Sequence, residues 1–165
     1  MPWYAVVERR WSHGYTSGVL DEAFAAEGEA RAAAHDRTPV GIAEGEEITV
    51  TTFLADDYQA AKHAAIRRGM DWRLRAGQGD QLTGATLRHK KYDKSYHDHC
   101  SFCWRRFLNR NDPANKPESF EGPDDEAADK GYATVATRRW PDDAHWICEE
   151  CFADFAPTFP WSVVE

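Results

Sequence analysis

The sequence is short of most features that announce a function. No stretch approaches the roughly 20 consecutive apolar residues that a membrane-spanning helix needs. The N-terminal run Met1-Pro-Trp-Tyr-Ala-Val-Val-Glu8 has no basic stretch followed by an apolar one, so it does not read as a signal peptide, and a cytoplasmic location is expected. Gly77-Gln-Gly79 is too short for a phosphate-binding loop, and no Lys-Ser or Lys-Thr pair follows it. No Gly-x-Ser-x-Gly elbow occurs. Cysteine is scarce, with four in 165 residues, and none stands alone.

What is abundant is aromatic side chain: 7 Trp, 8 Phe and 6 Tyr. Rings of that size dominate burial in a short chain, so a packed globular protein is expected. The net charge of −8 is unevenly spread. Between Arg67 and Arg110 there are 11 Lys/Arg against 4 Asp/Glu, while the rest of the chain holds 9 basic and 24 acidic residues. The overall sign argues against diffuse binding to nucleic acid, but the central segment has the composition of a local basic face.

All four cysteines lie in Cys-x-x-Cys pairs, Cys100-Ser-Phe-Cys103 and Cys148-Glu-Glu-Cys151. Each pair turns two sulfurs toward one point, and two pairs complete a tetrahedral Zn²⁺ shell with no open position, which marks a structural site. Structural zinc bound by Cys100, Cys103, Cys148 and Cys151 is therefore expected. Disulfides require an oxidising compartment. A thioredoxin-type redox pair needs one such motif at a helix start, not two far apart. An iron–sulfur cluster also takes four thiolates and stays open at this point. His97-Asp-His99 beside Cys100, and His145, are candidates for a ligand or a base, although four thiolates already fill the shell.

The pairs are 44 residues apart, against about 15–20 in ordinary zinc ribbons. Turn formers in Asn109-Arg-Asn-Asp-Pro-Ala-Asn-Lys-Pro-Glu118 and acids in Pro123-Asp-Asp-Glu-Ala-Ala-Asp-Lys-Gly131 mark an inserted loop over about 109–130. After it, Gly131–Trp140 reads as a strand, Pro141-Asp-Asp as a turn, Ala144–Cys148 as a returning strand, and Glu149–Ala156 as a helix stopped near Pro157. With the runs His97-Asp-His-Cys-Ser-Phe-Cys-Trp104 and His145-Trp-Ile-Cys-Glu-Glu-Cys-Phe152, this order resembles the treble-clef or zinc-ribbon-type fingers of uncharacterised bacterial proteins, over about residues 95–160. The resemblance implies a metal site but no particular activity.

Residues 1–94 are expected to form an α+β domain. Trp3–Trp11 reads as a strand, Ser12-His-Gly14 as a turn, and a second strand runs through Gly18-Val-Leu20. A helix is expected over Glu27–Arg37, ended by Thr38-Pro39. A strand follows over Gly45–Leu54, then a helix over about Asp57–Arg68, capped by Asp56 and ended by Gly69. Gln81–His89 reads as a further strand. The expected layout is a mainly antiparallel sheet with both helices on one face, followed by the metal-binding region 95–165.

Three functions fit. The favoured one is a non-enzymatic zinc-binding interaction or regulatory protein with a protein partner, whose basic surface would suit the acidic excess outside the central stretch. The second is nucleic-acid binding through the segment 67–110, with Arg67, Arg68, Arg73, Arg75, Arg88, Lys90, Lys91 and Lys94 lining a groove and Trp72, Tyr92 and Tyr96 stacking on bases. The third is a metal-dependent nuclease of the HNH type, which resembles this chain in its cysteines and long interval. Its Asp-His or His-His pair is missing between the knuckles, where only Asn109, Asn111, Asn115 and His145 occur. The aromatic C-terminal stretch, Phe152, Phe155, Phe159 and Trp161, reads either as core around the finger or as an exposed docking patch.

Overall fold

The computed structural model describes residues 1–11, 14–38, 45–76, 80–113 and 127–165. The turn at Ser12-His13, Pro39 after the first helix, the Gly77–Gly79 loop and most of the inserted loop, including Asn115, lie outside the described residues. The chain is α+β and divides into two units, Met1–Ala76 and Gly77–Glu165.

The first unit is built on β1 (Trp3–Trp11), which pairs antiparallel with β2 (Gly14–Val19) on one side and β3 (Glu47–Leu54) on the other. Tyr4, Ala5 and Val6 of β1 are all buried. Neighbouring residues on a strand point to opposite faces, so a run buried at every position has both faces covered. Tyr4 and Val6 pack with Phe53 and with Ala61 and Ala65 of α2 (Tyr58–Arg67). Ala5 packs with Ala30 and Ala34 of α1 (Glu27–Asp36), flanked by Trp3, Val7 and Val50. The two helices therefore cover opposite faces of the sheet, not one face as the sequence suggested. The continuous apolar run Tyr4-Ala-Val-Val7 is the signal of two-sided burial, and alanine at each contact lets helix and sheet approach closely.

Local chemistry fixes the helix ends. The Glu29 carboxylate accepts a hydrogen bond from the Ala26 N–H at the start of α1. In α2 the cap is Asp57 rather than Asp56, its Oδ1 accepting from the Ala60 N–H at 2.7 Å. Gly69 ends α2 with φ of 70°, and the Gly69 and Met70 N–H groups donate to the carbonyls of Ile66 and Ala65. This left-handed glycine closure satisfies carbonyls that the helix itself leaves open.

The second unit carries a four-stranded sheet in the order β8 (Trp146–Ile147), β7 (Lys130–Thr134), β4 (Thr86–Lys91), β9 (Ser162–Val164). Only the β4–β9 pair is parallel. The pairing of β4 with β7 and β9 places this strand with the metal region, so the division falls near residue 76 rather than at 94. Gln81 and Leu82, expected to begin that strand, instead lie in a 3-10 turn over Asp80–Leu82. The β7 strand also stops early, at Thr134, and Thr137 Oγ1 accepts the N–H groups of Arg139 and Trp140 in a side-chain turn. Gly131 is required where β7 passes β8, because a Cβ there would lie 2.7 Å from the Ile147 carbonyl oxygen and 2.8 Å from the Phe107 ring.

The interior of this unit is made of rings. Phe102 stacks on Phe155 at 4.4 Å between centroids and meets Phe159 edge-on at 5.7 Å. Tyr132 stacks on Phe152, and Trp161 completes the group while its Nε1–H donates to the Leu82 carbonyl at 2.8 Å. The aromatic stretch from Phe152 to Trp161 is thus core. A second group joins Tyr92, Phe107 and Trp146.

Candidate metal centre

The first cysteine pair sits in a tight hairpin. Strand β5 (Asp98–His99) pairs antiparallel with β6 (Arg106–Phe107). Between them the Cys100 N–H donates to the Arg105 carbonyl at 2.8 Å, and the Trp104 N–H donates to the Cys100 carbonyl at 3.1 Å. The chain can turn this sharply because Trp104 adopts the left-handed conformation, with φ of 63°. A bulky residue in that region costs on the order of 1–3 kcal/mol, where glycine costs nothing comparable.

The second pair lies at the start of α3 (Glu149–Phe155). Cys148 is its N-cap, and the Phe152 N–H donates to the Cys148 carbonyl at 2.9 Å. Residues three apart in a helical turn share a side, so Cys148 and Cys151 present both sulfurs together. Strand β8 delivers Cys148 directly. The Ser101 N–H donates to the Trp146 carbonyl at 2.8 Å, which fastens the first turn against β8 two residues before Cys148.

The four sulfurs consequently lie within 4.8 Å of one another, with Cys103 and Cys148 Sγ 3.6 Å apart. A disulfide would require about 2.05 Å. All four cysteines are free thiols, and Cys100, Cys148 and Cys151 are each 1% exposed. Four soft donors converging in a buried spot are positioned to bind a metal ion.

Electrostatics point the same way. Hydrogen bonds from Cys103, Cys148 and Cys151 drive Cys100 well below the usual thiol range. Hydrogen bonds to Cys100 and Cys103 push Cys148 and Cys151 well above it, and burial adds to the rise. The sulfurs cannot all ionise against one another, a conflict that a divalent cation between them removes. The Cys148 N–H donates to Cys100 Sγ at 3.4 Å, adding positive potential at that sulfur. Burial works against the charge of Arg105, but the Cys148 sulfur and the Glu150 carboxylate outweigh it and hold its pKa above the ordinary value. Arg105 also pairs with Glu150 Oε2 at 3.1 Å. Arg105 belongs to the basic stretch of the sequence, yet nothing in the sequence marked it as the cation beside the sulfurs.

The three candidate histidines stand apart from the cluster. Among the described residues, the group of side chains able to hold a metal consists of the four cysteines alone. The ring of His97 meets that of His99 edge-on at 5.0 Å, and His99 lies 6.0 Å from the Trp104 ring. Burial, with the neighbouring His97, lowers the His99 pKa. His145 packs against Trp140, and its Nδ1 is 3.5 Å from Ser101 Oγ. Burial lowers its pKa as well.

The basic residues expected to line one groove are divided between the two units. Arg73 is buried and held by both carboxylate oxygens of Asp71. The Arg68 guanidinium lies over the Phe53 ring, and Arg67 closes α2. The side chain of Arg75 lies outside the described residues. In the second unit Arg88 reaches Asp142 at 4.0 Å, Lys90 pairs with Asp143 at 2.7 Å, and Lys94 pairs with Asp98 at 3.5 Å. Lys91 is exposed at the end of β4. Of the expected stacking residues, Tyr92 is buried and Tyr96 is exposed. Trp104, which the sequence did not single out, is exposed to 54%.

A surface cleft of about 360 Å³ opens beside Cys148, lined by Arg105, Asp129, Lys130 and Glu149 among others. Within it Glu149 accepts from His89 at 2.9 Å and pairs with Lys130 at 3.2 Å. No helix among the described residues is long and apolar enough to cross a membrane. Comparison with known protein families, with curated proteins and with solved structures finds no match.

Proposed function

We propose that the second unit is a zinc finger of the treble-clef type and that the protein is a non-enzymatic interaction module acting on a macromolecular partner. The observation that carries the reading is the closed, buried set of four sulfurs. A regular tetrahedron with Zn–S bonds of about 2.3 Å has edges of about 3.8 Å, close to the 3.6 Å between Cys103 and Cys148. Four thiolates leave zinc no open position for a substrate or water, which is the arrangement of a structural metal. The order of knuckle, hairpin and second pair on the first turn of a helix supports the treble-clef assignment.

The nuclease reading gains no support. The described part of the interval between the pairs offers Asn109, Asn111 and His145, and His145 is engaged with Trp140 and Ser101. The groove of Arg67, Arg68, Arg73, Arg75, Arg88, Lys90, Lys91 and Lys94 also gains none, because these residues are divided between units and several are neutralised by carboxylates.

Elemental analysis of the purified chain tests the metal. One zinc per chain, lost in the Cys103→Ser and Cys151→Ser variants, is the expected result. Absence of metal, or iron with a visible sulfide-to-iron absorption band, overturns it.

A further inference from the structure

We infer that Cys103 is a site of reversible oxidation by hydroperoxides, and that the resulting Cys103–Cys148 disulfide releases the metal from the sulfur cluster. The inference rests on the reading of the cluster as a zinc site and goes beyond it, because it makes a structural fastener one that peroxide opens.

The four sulfurs are unequally protected. Cys100, Cys148 and Cys151 are each 1% exposed, whereas Cys103 is only partly buried. The turn between β5 and β6 gives the reason. Ser101 and Phe102 are buried, and the chain swings outward at Cys103, so that Trp104 and Arg105 after it are exposed. An oxidant arriving from solvent meets Cys103 first.

Hydrogen bonding divides the sulfurs in the same way. Cys100 Sγ accepts the Cys148 N–H at 3.4 Å. A thiolate that accepts an N–H holds its charge more firmly and is a poorer nucleophile. Cys103 Sγ has instead the Cys148 sulfur as its neighbour, 3.6 Å away. The cleft beside Cys148, with Arg105 on its wall, has ample room for a molecule little larger than water. The Arg105 cation, which burial disfavours, is held there by attraction to the Cys148 sulfur, Glu150 and the Cys103 sulfur. A positive charge therefore stands beside the pair from which hydroxide must depart.

The chemistry runs in two stages, with hydrogen peroxide as the oxidant. The Cys103 thiolate attacks one peroxide oxygen, forming the S–O bond of a sulfenic acid as the O–O bond breaks and hydroxide leaves. The Cys148 thiolate then attacks the Cys103 sulfur, forming the S–S bond as the S–O bond breaks and a second hydroxide leaves. The two thiolates give up two electrons, and the peroxide takes them up. Closing the gap from 3.6 Å to the disulfide length of about 2.05 Å asks for about 1.5 Å of movement, which the exposed side of a turn can supply.

The choice of partner makes the change reversible. Cys103 belongs to the hairpin and Cys148 to the cap of α3, 45 residues on. A bond between them takes one donor from each pair and leaves Cys100 and Cys151, too few to close a tetrahedral shell. It also keeps the hairpin tied to α3, so reduction returns four sulfurs already assembled. A bond within either pair would let the two pairs part.

The test treats the full zinc-loaded chain with hydrogen peroxide and follows released zinc with a chromogenic chelator against an untreated control. Zinc release is expected, with peptide mapping that shows a Cys103–Cys148 link and leaves Cys100 and Cys151 open to alkylation. Dithiothreitol with added zinc should restore the full metal content. Cys103→His supplies an imidazole, which zinc also accepts as a donor, and should slow release by about tenfold or more. Dimedone present during brief peroxide treatment of the unaltered chain should label Cys103 ahead of the other three, so the assignment does not hang on a variant that folds. A chain purified without zinc defeats the finger and this inference together. Zinc retained under peroxide, equally fast release from Cys103→His, a link within either pair, or first labelling at another cysteine defeats this inference alone.

Discussion

The first unit packs two helices on a three-stranded sheet through Ala5, Ala30, Ala34, Ala61 and Ala65, whereas the second wraps short strands around rings and sulfurs. Long strands and capped helices satisfy their own backbones, and small side chains then suffice to join the layers. Strands of two residues, such as β5, β6 and β8, provide little pairing of their own. A unit assembled from such pieces depends on a few strong fasteners, and it offers a stacked aromatic core and four sulfurs positioned to bind a metal ion. The two halves of the chain thus reach order by different physical routes.

Removal of metal is the largest perturbation of that contrast. Apparent binding energies of structural zinc in small fingers are about 10–16 kcal/mol, as large as the whole stability of a typical domain, about 5–15 kcal/mol. Chelation, or Cys148→Ser, should unfold Gly77–Glu165 while the amides of Met1–Ala76 keep their protection in hydrogen exchange. Loss of protection throughout the chain would break the comparison. Next in size is Phe102→Ala, which should cost about 3–5 kcal/mol, because Phe102 is fully buried against Phe155 and Phe159. The fall should register in denaturant melts of the zinc-loaded protein.

A smaller effect is expected from overfilling. Ala34→Leu in the first unit and Gly131→Ala in the second should each cost about 1–3 kcal/mol, since Ala34 has no exposed surface and Gly131 faces the Ile147 carbonyl. Hydrogen exchange should confine each loss to its own unit. The smallest effects are titrations. A hydrogen bond from Thr52, aided by Arg31, lowers the Glu27 pKa below 4.5, so its contribution holds above that value and disappears as pH falls through the folded pKa. A hydrogen bond with Asp143 raises the Lys90 pKa above 10.5, so its contribution holds below that value and disappears as pH rises through the folded pKa. Glu27→Gln should flatten the acid limb of the first unit's stability, and Lys90→Met the alkaline limb of the second, as followed by amide resonances of each unit.

The ease of reading these features from sequence follows the same division. Both helices of the first unit lie within a residue or so of their expected ends, because Thr38-Pro39 marks the end of the first, and aspartate and glycine mark the two ends of the second. The face each helix covers was misjudged, since helical propensity says nothing of which side of a sheet a helix crosses to. The cysteines were legible because ligand spacing is a local property. The convergence of pairs 44 residues apart depends on the bridge between Cys100 and Trp146, which has no local signature. Strand β9 was missed altogether: it is three residues long and gains its identity from the distant β4. Trp104 was hidden for a similar reason, since only the backbone reveals that its position is one glycine would normally fill.

The parallel pairing of Ser162–Val164 with Thr86–Arg88 has a consequence for biosynthesis. On the ribosome, the first unit has all its strands once Leu54 has emerged, and it can fold while the remainder is still being translated. The second unit must wait for β9. At about 5–20 residues per second, Cys100 and Cys103 precede Cys148 by roughly 2–9 seconds. For that interval a nascent chain holds two thiols of the cluster without their partners, so the four-sulfur set cannot close until Cys151 has emerged.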